Sequence, residues 1–126
     1  MKLLSVREFH ACPVGTVYRI GEPWYFGPLS IKGQSCVPGH YHDWMEHEIG
    51  SIEAGSSSAE MDMLEHAFAN PLDNALPIDL YTEGRDGMCD DDRAVLVFEP
   101  ADVSALIERL QKALAGVDTY APTTPP

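Results

Sequence analysis

The sequence predicts an α+β fold, with a mostly antiparallel sheet of four to five strands and two longer helices packed on one face. Three observations lead there. Short β-branched and aromatic runs alternate with Gly/Pro turns in the first third of the chain. Ala94–Glu99 (AVLVFE) is the most apolar run and reads as a central strand. Val103, Leu106, Ile107, Leu110 and Leu114 then recur at helical spacing and end at Gly116, the signature of an amphipathic helix.

Taken in order, Ser5 and Glu8 have the spacing of a capping box and start a short helix that Pro13 ends. Thr16–Ile20 alternates with period two and predicts a strand; Gly21-Glu22-Pro23 is turn chemistry. Trp24–Phe26 and Leu29–Lys32 read as two strand pieces divided by Gly27-Pro28, completing an antiparallel hairpin. Gly33–Gly39 reads as a loop, and His40–Ile52 as irregular with one strand. Ser57 and Glu60 repeat the capping-box spacing before a helix over Ala59–Asn70, with Met61, Leu64 and Phe68 on its apolar stripe and Asn70-Pro71 as its stop. Ile78–Thr82 predicts a further strand, and Glu83–Asp92 a turn. Pro100 suits a first helical position, and Asp102 complements the dipole of the first turn. At 126 residues the chain reads as one domain over 1–116, with a Pro/Thr-rich tail at 117–126.

Charge is the most informative feature for function. Residues 33–92 contain fourteen carboxylates and a single basic residue, Arg85, a formal charge of −13 within a chain of −12. The rest holds six acidic against seven basic residues. So one-sided a segment repels itself, a cost easier to understand if its surface meets a basic partner. The same charge argues against direct contact with nucleic acid or an anionic membrane. Cys12, Cys36 and Cys89 are odd in number and lack CxxC spacing, so free thiols in a reducing compartment are expected. The opening MKLLSVREFH carries no uninterrupted apolar core of a secretion signal, because Arg7, Glu8 and His10 break it; a cytoplasmic protein is expected.

Two clusters could carry chemistry. In PGHYHDWMEHE, the residues His40, His42, Glu46 and His47 have metal-ligand character. The segment resembles the first metal motif of cupins, HxH followed by three or four residues and Glu, through His40, His42 and Glu46. Its glycines are displaced from that pattern, and the second motif's histidine has no counterpart beyond His66, which falls on a predicted helix. The other cluster, GRDGMCDDDR, lacks the glycine and terminal glutamate spacing of a calcium loop and reads as a solvated acidic turn. No nucleophile elbow or phosphate loop is present, so no enzymatic activity and no cofactor is expected; a metal-dependent enzyme is the alternative.

Three segments, PVGTVYRI, FGPLSIKG and GRDGMCDDDRAVLVFEPADVSALIERL, together resemble small acidic proteins encoded by bacteriophages and prophages. That resemblance implies phage origin and action in the host bacterial cytoplasm, in a group where inhibitors of host defence, including anti-CRISPR proteins, recur. The expected function is therefore inhibitory. An acidic face would occupy the basic nucleic-acid groove of a host protein or ribonucleoprotein complex through Glu46, Glu48, Glu83, Asp86, Asp90, Asp91 and Asp92, with Glu60, Asp62 and Glu65 as a second row. The alternatives are a metal-binding protein using His40, His42, Glu46 and His47, and an immunity protein covering a basic toxin.

Overall fold

In the computed structural model, which describes residues 1–22, 24–36, 42–85 and 91–116, the chain opens with a strand that its sequence does not announce. This is β1 (Lys2–Ser5), and Ser5 turns it into α1 (Val6–His10). The expected capping box is present: Ser5 Oγ accepts the Glu8 N–H, and the Glu8 carboxylate accepts the Ser5 N–H, both at 3.1 Å. β2 (Val17–Glu22) pairs antiparallel with β3 (Tyr25–Phe26) and β4 (Ser30–Ser35), forming the predicted hairpin. β4 runs through Ser35, so the expected loop after Lys32 begins later, beyond a register irregularity between Lys32 and Ser35. β5 (Trp44–Glu48) and β6 (Ser51–Ile52) follow, separated at Gly50, whose φ of 98° suits a residue without Cβ.

α2 (Ser57–Ala69) is capped by Ser56, whose Oγ accepts the Ala59 N–H at 3.1 Å, rather than by Ser57 as the spacing predicts. β7 (Ile78–Asp79) pairs with β6, and β8 (Gly84–Arg85) lies inside the expected acidic turn. β9 (Ala94–Phe98) leads through Glu99 into α3 (Pro100–Leu114), with Pro100 and Asp102 where the sequence places them and Gly116 just past the end at φ 71°.

The chain is α+β. Among the described residues, seven strands form one antiparallel sheet in the order β1-β9-β2-β4-β5-β8, with β3 beside β2; β6 and β7 form a separate pair. β9 is interior to the sheet, as its apolar run predicts. The strand count exceeds the expected four to five because β1, β8 and the β6–β7 pair are only two to four residues long.

One face of the sheet carries the core. Val95 and Val97 of β9, Tyr18 of β2 and Trp44 of β5 are buried beneath Val6 and Phe9 of α1, with Leu4, Ile20 and Cys12 at the margin. Phe9 sits at the centre, 4.5 Å from the Tyr18 ring and 4.7 Å from that of Trp44. The buried Lys32 spends its ammonium on Ser35 Oγ and the Gly33 carbonyl, 6.0 Å from the Phe9 ring centroid; burial pulls its pKa down.

The short α1, not the two longer helices, provides this cover. Neither α2 nor α3 has a buried residue. On α2, Met63, Leu64 and Ala67 are half-buried, whereas Met61 and Phe68 of the expected core stripe are exposed. Trp24 and Tyr25 project into solvent, and Phe26 is half-buried.

Candidate functional site

Strand order turns the charge asymmetry of the sequence into an asymmetry of the molecule. The near-neutral residues 1–32 and 93–116 build β1, β9, β2, β4 and α3. The acidic residues build β5 and β8 at the other edge, with β6, α2 and β7 inserted between them. Hydrogen bonds hold that insertion against the edge, from Gly50 N–H to the Asp79 carbonyl (2.9 Å) and from Thr82 Oγ1 to the Glu48 carbonyl (2.7 Å). Five inter-strand steps separate β1 from β8, on the order of 24 Å. That is about three Debye lengths at physiological salt, so the two ends act as electrostatically separate surfaces.

At the acidic end, Glu46, Glu48, Thr82, Glu83, Gly84 and Arg85 line a cleft of about 270 Å³. Its carboxylates are not equivalent. Glu46 is drawn inward, its Oε2 accepting the Tyr18 hydroxyl (2.9 Å), which in turn accepts the buried Trp44 Nε1–H (2.8 Å). Glu48 accepts the Ser51 hydroxyl at 2.7 Å and is half-buried. Glu83 is exposed. The Arg85 guanidinium pairs with Asp43, a buried carboxylate that no motif in the sequence marks.

Asp91 lies apart from the cleft, against His42: Nδ1 is 2.7 Å from Oδ2, and the His42 N–H reaches Oδ1 at 3.4 Å. The His10 ring packs edge-on to His42 at 5.2 Å, a neighbour the sequence does not signal because it arrives from α1. Asp92 is exposed. On α2, Asp62 and Glu65 are exposed and Glu60 is half-buried. Asp86 and Asp90, expected in the same surface, lie outside the described residues.

Among the described members of the histidine cluster, His42, Glu46 and His47 are not brought together. His40 lies outside the described residues. Glu46 and His47 are consecutive on a strand and point to opposite faces. His47 Nδ1 donates to the Thr82 carbonyl at 2.8 Å, on the side where Gly33 leaves room: a Cβ there would stand 2.8 Å from His47 Nε2. His42 turns to Asp91. Among the described residues no three His, Cys, Asp or Glu side chains are grouped to hold a metal ion. Cys12 and Cys36 are free and half-buried; Cys89 lies outside the described residues. Among the described residues no helix is long and apolar enough to cross a membrane.

Among the described residues, the carboxyls of Glu8, Asp91 and Asp102 sit below their ordinary range. Glu8 is lowered by the Ser5 N–H and hydroxyl, Asp91 chiefly by the hydrogen bond from His42, and Asp102 by the chain's amino terminus at 2.9 Å and then by the Glu99 N–H. A carboxyl depressed in the native state contributes stability above its unfolded pKa of about 4, and loses that contribution as pH falls through the lower native value. Stability should therefore drop on acidification below about pH 4. Asp102→Asn should make that acid limb shallower in urea midpoints measured across pH. An unchanged limb would contradict the assignment to Asp102.

No protein-family model matches the chain, and no curated protein or solved structure matches it.

Proposed function

We propose that the protein is a non-enzymatic binding protein whose acidic end docks into a Lys/Arg-lined groove built for nucleic acid, imitating the phosphate backbone. The resemblance to small phage proteins makes a host defence complex, of the kind anti-CRISPR proteins inhibit, the proposed owner of that groove, and the host cytoplasm the place of action. The observation that carries the reading is the charge asymmetry: among the described residues, Glu46, Glu48 and Glu83 lie at the β5–β8 edge and Glu60, Asp62 and Glu65 on the α2 inserted between those strands, while residues 1–32 and 93–116 are near neutral. A groove that neutralises phosphates attracts ordered carboxylates by the same force, and separated charge steers the encounter.

The contact set narrows to the carboxylates that face solvent. Asp62, Glu65, Glu83 and Asp92 lead, with Glu60 beside them. Glu46 serves the interior through Tyr18 and Glu48 is half-buried, whereas Asp91 is exposed beside Asp92 with His42 against it.

Capture from bacterial lysate with the intact chain, compared with an Asp62→Lys, Glu65→Lys, Glu83→Lys, Asp92→Lys variant, tests this. The four reversals should weaken the captured complex by roughly two orders of magnitude, and added salt should weaken the wild-type complex. A partner held equally by both proteins would reject the reading.

A further inference from the structure

The acidic end is not uniformly polar. Beside the exposed Glu83, Tyr81 is 88% exposed and Leu80 49%. A tyrosine bared among carboxylates is the kind of side chain on which interface energy concentrates.

These side chains belong to a pocket of about 440 Å³, lined by Ile31, His47, Leu80, Tyr81 and Glu83. Ile31 of β4 and His47 of β5 are half-buried and alternate with the core-facing Lys32 and Glu46, so the pocket lies on the sheet face opposite the core. Its outer wall is held in place at Thr82, between Tyr81 and Glu83. The Thr82 hydroxyl donates to the Glu48 carbonyl at 2.7 Å, and the Thr82 carbonyl accepts His47 Nδ1–H at 2.8 Å. The Tyr81 N–H donates to Asp79 Oδ1 at 2.8 Å. Tyr81 and Glu83 are therefore presented from an ordered backbone, which lowers the entropy lost on binding.

We propose that this pocket receives an arginine side chain of the basic partner, the guanidinium stacked on the Tyr81 ring and paired with the Glu83 carboxylate. This assignment rests on the acidic-surface reading and names the group that surface recognises.

Charge and shape together select the occupant. Glu83 makes no hydrogen bond or ion pair among the described residues. The nearby cations are already engaged: Arg85 pairs with Asp43, and Arg19, on the same sheet face, donates to the Gly27 and Phe26 carbonyls. His47, the other basic side chain of the lining, donates from Nδ1 and keeps Nε2 as an acceptor when neutral. A negative group would meet Glu83 and be repelled. A guanidinium is planar, so it can stack on an aromatic ring while its N–H fork meets a carboxylate, and its stem can lie on aliphatic side chains. Tyr81, Glu83 and the pair Ile31 and Leu80 supply one surface for each of those parts. An ammonium would use the carboxylate and gain less from the ring.

NMR titration of the full chain with two acetylated pentapeptides of equal charge, one all lysine and one with arginine at its centre, tests the proposal. The arginine peptide should bind roughly tenfold more tightly and shift the resonances of Leu80, Tyr81 and Glu83. Tyr81→Ala should abolish that preference, and Tyr81→Phe should retain it because the ring, not the hydroxyl, makes the contact. Both positions of the contact are exposed, and unchanged Trp44 emission verifies that each variant is folded. Equal affinity for the two peptides, or a preference that survives Tyr81→Ala, overturns the arginine pocket and leaves the acidic-surface reading standing. Binding of neither peptide overturns both.

Discussion

Phe9→Ala is expected to cost about 3–5 kcal/mol, the range for removing a fully buried aromatic side chain. The loss is large against a total stability of about 5–15 kcal/mol for a domain. Phe9 is the centre of a small core: it touches the Tyr18 and Trp44 rings and, with Val6, covers Val95 and Val97. Neither long helix offers a buried side chain to fill the space. Truncation therefore removes apolar burial and two aromatic contacts at once and leaves a cavity over the sheet. Equilibrium urea unfolding followed by Trp44 fluorescence measures this, with Trp24→Phe as background to remove the signal of the 95% exposed Trp24. A loss below about 1 kcal/mol would mean that α1 is not the cover of the core.

Tyr18→Phe should cost about 2–3 kcal/mol although it removes a single oxygen. That hydroxyl accepts the Trp44 indole N–H and donates to Glu46. Without it, a buried donor loses its acceptor and a half-buried carboxylate loses a donor; unmet polar groups of this kind cost about 1–3 kcal/mol each and do not simply add. The shape of the core is kept, so the effect separates hydrogen bonding from packing. Urea midpoints measure it, and a change under about 0.5 kcal/mol would contradict the network.

What was legible in the sequence was local. Ser5 with Glu8, Pro100 with Asp102, and Gly116 mark helix ends through groups within three residues of one another, so their outcome needs no tertiary knowledge. The apolar run at Ala94–Phe98 marks an interior strand for a similar reason. β1 and β8 were not legible. Lys2–Ser5 has no alternating pattern and owes its state to the ladder with β9, and the two residues of β8 owe theirs to Met45 and Glu46.

The candidate surface was legible as a charge total and not as a set of contacts. Counting carboxylates could not tell that Glu46 turns inward to Tyr18 while Glu83 stays in solvent, because that depends on the register of β5 against β4. The described residues of the histidine motif part for the same reason: consecutive strand residues diverge, and His42 finds Asp91 from 49 positions away. The apolar stripe of α3 was read correctly as a pattern, but a pattern does not say which surface covers it.

The central claim is that one end of this molecule is built to meet positive charge. Carboxyl labelling of the intact chain with and without a poly-L-lysine probe, read residue by residue, tests it most directly. Protection concentrated at Asp62, Glu65, Glu83 and Asp92, with Glu8 and Glu108 at the near-neutral end still labelled, is the predicted result. Even protection over all carboxylates, or protection centred on Glu8 and Glu108, would contradict it.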